Sequence, residues 1–188
     1  MFRTSDFALR PLRREDLRMV LDWRNSVHIR DASINDEIIT WEQHSLWFER
    51  LQDNKPARNL VFCCFGQPVG VVNFNSLDAK NGTAGWGFYL GRQDLPKKSG
   101  TALGYYGIDY GFKVLGLRKL IGEVIESNVR STNFHLRLGF EREGHLRKQL
   151  SRLGEWKDLL VFGLLVWDWN SMHRERVGAT LFSDWSPK

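Results

Sequence analysis

The chain has 188 residues, of which 42% are hydrophobic and 26% are charged, as is typical of one globular domain with a full core. No apolar run approaches the roughly 20 residues of a membrane span, and the N-terminus lacks a signal-peptide profile, so we expect no membrane partner. Cys63 and Cys64 are adjacent in an apolar run, where neighbouring strand residues point to opposite faces. A disulfide between them is not expected, which favours a cytoplasmic location.

The formal net charge of +5 suits a polyanionic ligand, whether nucleic acid or a small molecule. The chain has no basic run with interleaved aromatic residues and no helix-turn-helix pattern, so nucleic acid is not an expected partner. It also lacks the His and Cys spacing of a zinc site, and no metal is expected.

The N-terminal third predicts one strand and two helices. Residues 7–12 alternate and include Pro11, which is typical of a short strand. A helical stripe with the 3.6-residue period follows at Leu17, Val20, Leu21 and Trp23. Residues 26–39 show no clear period and predict a loop or a short helix. Thr40 and Gln43 form a capping-box pattern that begins the second helix.

The middle third predicts three strands and a glycine-rich helix. Residues 59–65 and 69–75 form a hairpin around Gly66-Gln67, and residues 86–90 form the next strand. A helix then begins at Gly100 and carries further glycines at 104, 107 and 111, each costing roughly 1 kcal/mol against alanine. Close packing on the sheet is the favoured explanation for them, and contact with a cofactor is the alternative. Gly116 is a plausible C′ glycine.

The last third predicts a strand at 120–125 and a helix at 129–138 that Asn128 caps and Gly139 ends. Two strands follow, from Phe140 to about Leu150 and from Trp156 to Trp167. The polar tail after Asp168, with Met172, Leu181, Phe182 and Trp185, either docks as a helix or frays.

One short stretch, residues 97–103 (Lys-Lys-Ser-Gly-Thr-Ala-Leu), predicts an anion site. It is the first turn of the predicted glycine-rich helix that follows the strand at 86–90. There, backbone N–H groups lack intrahelical partners and the helix dipole is positive. The glycine lets a phosphate approach the backbone closely. An ordinary basic helix start is the alternative explanation.

Within this stretch, Lys97-x-x-Gly100-x-Ala102 resembles the acyl-CoA signature of the GNAT N-acetyltransferases, Gln/Arg-x-x-Gly-x-Gly/Ala, with lysine in the first position as a departure. Two further segments agree with that family: residues 115–119 (Leu-Gly-Leu-Arg-Lys), and Asn128-x-x-Ser131-x-x-Phe134-His135-x-x-Leu138-Gly139-Phe140. The order β-α-α-β-β-β-α-β-α-β-β also matches. The resemblance covers residues 7–167.

The resemblance implies an α+β GNAT fold with a mixed sheet of about seven strands, splayed between the fourth and fifth, and helices on both faces. The acetyltransferase domain would span residues 1–167, and residues 168–188 would form the tail. The implied co-substrate is acetyl-CoA. The residues implied to hold it are Phe88, Tyr89 and Leu90 through their main chain, then Lys97, Lys98, Ser99, Gly100, Thr101, Ala102, Leu103, Asn128, Ser131 and Phe134.

Acetyl transfer needs a base for the amine and a proton donor for the leaving thiolate. His135 occupies the position where many family members have a tyrosine acid, and an exposed histidine is the alternative. Glu123, on the fifth strand, is the predicted base, acting directly or through water, and Glu126 is the second choice. A strand carboxylate paired with a nearby cation is the alternative for Glu123. A cysteine acyl-enzyme is disfavoured, because Cys63 and Cys64 lie away from the splay.

The N-terminal third further resembles the PseH-like branch of the family, which acetylates UDP-4-amino-4,6-dideoxy-N-acetyl-β-L-altrosamine. The matching segments are Leu9-Arg10-Pro11-Leu12, Trp23-Arg24-Asn25, Glu42-x-His44-x-x-Trp47-Phe48 and residues 86–90. Arg24 and His44 would meet the diphosphate, and Trp47 would form an apolar wall. By the same resemblance, Asn75, Ser76 and Tyr89 would border the nucleotide.

Other activities stay open. Residues 144–148 and 154–158 resemble the ribosomal-protein and spermidine acetyltransferases, so a protein N-terminus or a polyamine is an alternative acceptor. A polyamine site would need clustered acids, for which Asp31, Asp36 and Glu37 are the candidates. A non-catalytic acyl-CoA sensor is the third possibility, and the protein could be a monomer or a homodimer.

Overall fold

A seven-stranded mixed sheet organises the chain in this computed structural model, which describes residues 1–51, 58–152 and 154–184. The strands are β1 (Phe7–Pro11), β2 (Asn59–Cys64), β3 (Gln67–Asp78), β4 (Thr83–Leu90), β5 (Lys119–Ile125), β6 (Glu141–Arg152) and β7 (Glu155–Leu165). Their order across the sheet is β1-β2-β3-β4-β5-β7-β6.

The sheet opens between β4 and β5, as the sequence predicts. These two strands are parallel and pair only at Thr83–Gly85 with residues 119–121, whereas every other neighbouring pair is antiparallel. Beyond Gly85, the facing edges of β4 and β5 therefore leave main-chain groups without a strand partner. This gap is the feature around which the site is built.

Helices cover both faces of the sheet. They are α1 (Leu17–Asn25), α2 (Val27–Arg30), α3 (Trp41–Leu51), α4 (Ser99–Lys113), α5 (Val129–Leu138), α6 (Val166–Asp168) and α7 (Arg174–Leu181), with a π-helical turn at Trp169–His173 and 3₁₀ turns at Thr4–Asp6 and Arg14–Asp16. The largest buried cluster joins α4 and α5 to one face, through Val72, Phe74 and Trp86. On the opposite face Val61 and Val71 are also buried. Among the described residues, no helix is both long and apolar enough to cross a bilayer.

The predicted helix ends are confirmed in detail. Thr40 and Gln43 exchange the two capping-box hydrogen bonds, of 2.8 and 3.2 Å. The Asn128 side chain accepts the Ser131 N–H at 3.0 Å and begins α5. Gly116 and Gly139 adopt the left-handed backbone, with φ of 66° and 97°, after α4 and α5, where an L side chain would be strained.

Two strand predictions need adjustment, and the open alternative of a loop or a short helix at 26–39 is decided. The β2–β3 turn falls on Phe65-Gly66, one residue before the predicted position, and both residues have positive φ (49° and 75°), as in a type I′ hairpin turn. The stretch 26–39 contains the short helix α2. Strand β4 begins at Thr83, three residues earlier than predicted, because those residues pair with β5.

The C-terminal tail packs on the sheet domain. Trp169 is fully buried, and its indole Nε1–H donates to Asp109 of α4 at 2.7 Å. Leu181 and Phe182 join the core cluster, and Phe182 forms an isolated parallel β-bridge with Phe2. Trp185 lies outside the described residues.

The glycines of α4 serve two different purposes. A Cβ at Gly104 would lie 2.5 Å from Leu138 and 2.8 Å from Phe134, and those at Gly107 and Gly111 would lie within 3.2 Å of buried side chains of the sheet. Close packing therefore explains these three. At Gly100 the nearest atom would be Leu90 Cδ1, at an ordinary 3.7 Å, so packing does not require a glycine there.

Gly104→Ala is expected to lower the free energy of unfolding by up to about 2 kcal/mol. Overpacking a close contact costs about 1–3 kcal/mol, and the better helix propensity of alanine returns about 1 kcal/mol. Gly100→Ala is the matched control, since its Cβ fits, and its stability should equal or exceed that of the parent. Urea unfolding measures both, and equal stabilities of the two variants would contradict the packing explanation.

Candidate active site

One broad cleft of about 1150 Å³ runs through the gap between β4 and β5. Residues on β4 alternate between its two sides: Phe88 and Leu90 face α4 and α5, and Gly87 and Tyr89 lie on the opposite side, where Tyr89 is near Arg24 of α1. We name the first side the cofactor half and the second the acceptor half. Such a through-sheet cleft lets two substrates approach one another from opposite faces.

The start of α4 forms the end of the cofactor half. Gly100 and Thr101 line the cleft, and their N–H groups have no acceptor among the described residues. A Cβ at Gly100 would extend into space that the protein leaves free. A pyrophosphate suits this position, because unpaired N–H groups can donate to its oxygens, the helix end is positive, and the glycine leaves room for it. The predicted cofactor segment is therefore a chemically suitable cradle.

Several residues predicted for this cradle have other contacts. The Lys98 ammonium donates to the Thr180 carbonyl at 2.9 Å, which ties it to α7 although Lys98 itself borders the cleft. Ser99 is buried and its hydroxyl donates to the Pro96 carbonyl at 2.8 Å. Ala102 is buried in the core. Ser99, Ala102 and Lys97 do not line the cleft, so their side chains are not placed to touch a ligand there.

The remaining predicted cofactor residues all border the cleft. These are Phe88, Tyr89, Leu90, Leu103, Asn128, Ser131 and Phe134. Phe88 and Phe134 pack with ring centroids 4.7 Å apart, which joins the open edge of β4 to α5. The apolar wall beside the unpaired edge of β4 suits an extended pantetheine arm, which the main chain of residues 88–90 can bind like an added strand.

His135 is buried, with only 2% of its surface exposed, so the exposed alternative is wrong. Its Nδ1 lies 2.9 Å from the Ser131 carbonyl, a contact that needs a proton on Nδ1. Burial lowers the pKa of His135 to about 4, and the neutral ring then carries an acceptor at Nε2, which has no partner among the described residues. The predicted acid role would require a second proton on Nε2, which the lowered pKa of His135 opposes.

The two carboxylates considered as base are separated by the structure. Glu123 is exposed, lines the cleft, and has no hydrogen bond or ion pair among the described residues. Glu126 is not among the cleft residues, and its carboxylate lies 3.7 Å from His145, which also contacts Asp158 at 2.7 Å. Only Glu123 is therefore open to a molecule in the cleft.

Arg24 provides the cation of the acceptor half. It lines the cleft, and its Nη2 donates to the Asn35 carbonyl at 2.6 Å. Its Nη1 is buried and has no partner among the described residues. Burial holds the pKa of Arg24 below its usual value. Burial also raises the pKa of the nearby Tyr89 phenol, although the positive charge of Arg24 acts in the other direction. An arginine left incompletely paired in this way is ready for an anionic ligand.

His44 is buried rather than on the surface, and it stacks on Trp47 with ring centroids 5.0 Å apart. Burial lowers the pKa of His44, against a hydrogen bond to the Leu17 backbone. Its Nε2 is buried and has no partner among the described residues. A histidine with a lowered pKa is neutral at pH 7 and offers no charge for the predicted contact with a diphosphate. Trp47 lines the cleft as predicted.

The floor of the acceptor half is formed by β3. Asn75 and Ser76 are exposed and border the cleft, and Ser76 has a positive φ of 46°. Asn73, which the sequence interpretation missed, borders it as well. Strand alternation from Asn75 could have identified it, since residues two apart share a face.

Of the three acidic residues considered for a polyamine, Asp36 has its carboxylate engaged by a cation. Asp36 pairs with the buried Arg152 at 3.3 Å, and Arg152 also donates to the carbonyls of Arg30 and Asp31. Glu37 lines the cleft. Among the described residues, Glu37 and Glu123 are the acidic side chains that border it.

The fold and the cleft together define an acetyltransferase of the GNAT type. The sequence profile described as "Acetyltransferase (GNAT) domain" matches residues 6–141. The chain belongs to this family and is an N-acetyltransferase.

Individual relatives agree with this assignment. The spermidine N(1)-acetyltransferase of Escherichia coli K12 is 26% identical over 152 residues, which cover 81% of this chain and 82% of that protein. The uncharacterized N-acetyltransferase p20 of Bacillus licheniformis is 34% identical over 97 residues, 52% of this chain and 54% of that protein. A Vibrio cholerae spermidine N-acetyltransferase, solved with CoA and spermine, superimposes with a TM-score of 0.82 at 20% identity, covering 88% of this chain and 99% of that one. At 20% identity, the similarity to this solved structure supports the fold of the chain and nothing finer.

Proposed function

We propose that the protein transfers acetyl from acetyl-CoA to the 4-amino group of a UDP-4-amino-4,6-dideoxy sugar. The observation that carries this choice is Arg24, a partly desolvated guanidinium with an unpartnered nitrogen beside the acceptor half. A diphosphate offers the charge and the oxygen acceptors that complete its pairing. Trp47 adds a flat apolar surface for a deoxy sugar or a uracil ring.

The reaction we propose is direct attack in a ternary complex. The amine enters from the acceptor half, and its lone pair forms a bond to the thioester carbon while the carbon–sulfur bond breaks. Glu123 takes the proton that the nitrogen loses. A main-chain N–H of residues 88–90 polarises the carbonyl, a contribution that can be worth roughly 3 kcal/mol. CoA leaves as the thiolate, and its sulfur then takes a proton from solvent water.

A polyamine is the second candidate acceptor, and the spermidine acetyltransferases among the relatives favour it. Glu37 and Glu123 would supply negative charge in the cleft. Against it, Asp36 is already neutralised by Arg152, and Arg24 would repel a polycation. Our choice of an anionic substrate therefore depends on the incompletely paired Arg24 and not on net charge, because Glu37 and Glu123 also border the cleft.

Acetyl-CoA turnover with a panel of amines tests the proposal. The panel contains a UDP-4-amino-4,6-dideoxy sugar, spermidine and a peptide with a free N-terminus. We expect the highest kcat/KM with the UDP-sugar. A preference for spermidine or for the peptide would overturn the choice of acceptor. Tight acetyl-CoA binding without turnover of any amine would instead identify a sensor.

Arg24→Ala is expected to raise the KM for the UDP-sugar about 10- to 100-fold, because a charge-assisted hydrogen bond is worth about 1.5–3 kcal/mol. The KM for acetyl-CoA should change little, since Arg24 lies in the acceptor half. Arg18→Ala is the matched control: Arg18 is on the same helix but exposed and stacked over Trp41. An unchanged KM for the UDP-sugar in Arg24→Ala would remove Arg24 from the binding site.

A further inference from the structure

Three residues form a row across the sheet at the open end of the gap. Asn73 of β3 pairs with Gly87 of β4. The last pair of β4 and β5 joins Gly85 to Ile121, so Gly87 and Glu123, each two residues further on, lie at the same level on opposite edges of the gap. Residues two apart share a face. The side chains of Asn73 and Glu123 therefore border the acceptor half from opposite sides, with a glycine between them.

The Asn73 carboxamide has no hydrogen-bond partner among the described residues, and its Oδ1 is buried. A buried polar atom without a partner costs free energy unless a ligand or water satisfies it. The amide leans over β4: a Cβ at Gly87 would lie 2.5 Å from Oδ1. The glycine thus leaves room for the Asn73 amide immediately beside the gap.

Asn75 differs from Asn73 in its position along the gap. It lies over Gly85, where β4 still pairs with β5, and so at the closed end. Asn73 is the next residue on the same face of β3 and the first at the level where the strands have separated. Of the two, only Asn73 stands opposite a residue that can act as a base.

We propose that Asn73 orients the amine for attack, a role that rests on the proposed acetyl transfer in this cleft. Its carboxamide oxygen accepts one N–H of the neutral amine, while the Glu123 carboxylate accepts the other. The nitrogen lone pair is then directed into the gap, towards the thioester carbon. As the carbon–nitrogen bond forms and the carbon–sulfur bond breaks, the proton facing Glu123 moves to its carboxylate, and the N–H facing Asn73 stays on the amide product.

The test compares Asn73→Leu with Asn73→Asp, using the amine of the panel that the wild-type protein acetylates best. Asn73→Leu keeps the size but loses the oxygen, and kcat should fall about 10- to 100-fold, because misplacing a reactant by about 1 Å has effects of this order. The dissociation constant for acetyl-CoA should not change. Asn73→Asp retains an acceptor oxygen and should recover a large part of kcat. Asn170→Leu, at an exposed position of the π-helical turn, is the control.

Gly87→Ala provides a second, independent variant, since its Cβ displaces the Asn73 amide without removing it, and we expect a similar fall in kcat. Unchanged kcat in Asn73→Leu, or equal losses in the leucine and aspartate variants, would overturn the proposal. If the wild-type protein prefers spermidine, the choice of the UDP-sugar fails, but the role of Asn73 is still tested on spermidine. Absence of turnover with every amine would overturn both.

Discussion

Gly100→Glu is expected to weaken acetyl-CoA binding by at least about 100-fold, or 2.7 kcal/mol, while the protein stays folded. The substitution places a carboxylate at the start of α4, at the position proposed for the pyrophosphate, and the two anions would repel each other. It also fills the space above the glycine, where a Cβ would meet only Leu90 at 3.7 Å. Calorimetric titration with acetyl-CoA measures the affinity, and thermal unfolding confirms the fold.

Two further variants separate charge from shape in this prediction. Gly100→Ala adds a Cβ without charge and should weaken acetyl-CoA binding much less than Gly100→Glu. Lys97→Glu places a carboxylate and also removes a lysine charge at an exposed position that does not line the cleft, so its effect should be modest and should shrink at high salt. Near-normal affinity in Gly100→Glu would show that the pyrophosphate does not lie against this turn.

Acidification is expected to destabilise the protein through His135. The pKa of His135 is about 4 in the folded protein, against about 6.5 in the unfolded chain. The unfolded state thus binds the additional proton first, and the stability present above pH 6.5 is lost as the pH falls towards 4. A pKa difference of about 2.5, at about 1.36 kcal/mol for each unit, corresponds to a loss of about 3 kcal/mol in the free energy of unfolding. Urea unfolding at several pH values measures this slope.

His135→Phe removes the titrating ring while keeping an aromatic side chain among Trp86, Phe140 and Phe162. Between pH 7 and pH 4, the free energy of unfolding of the variant should fall by about 3 kcal/mol less than that of the parent. Burial also lowers the pKa values of His44 and His173, so only the difference between parent and variant reports on His135. His28→Gln, at an exposed position, is the control. Parallel pH profiles of parent and His135→Phe would contradict the assignment.

The predictions that held depend on local rules. The capping box, the N-cap and the left-handed glycines follow from short-range hydrogen bonds and backbone sterics, so Thr40, Asn128 and Gly139 could be assigned from their neighbours alone. The turn at Phe65-Gly66 was misplaced because a phenylalanine with positive φ is uncommon and has no local signal. Hydrogen bonds to Thr180 and Pro96 engage the side chains of Lys98 and Ser99, and the Thr180 contact is distant in sequence.

The amino-acid sequence by itself determined the order of the strands, the start of α4 and the family, because periodicity, caps and a glycine motif are properties of neighbouring residues. Only the tertiary structure decided which side chains share the cleft. It buried His135 and His44, paired Asp36 with Arg152, and placed Asn73 opposite Glu123. Protonation states and partners of this kind depend on burial and on contacts between residues far apart in the chain, which local patterns do not encode.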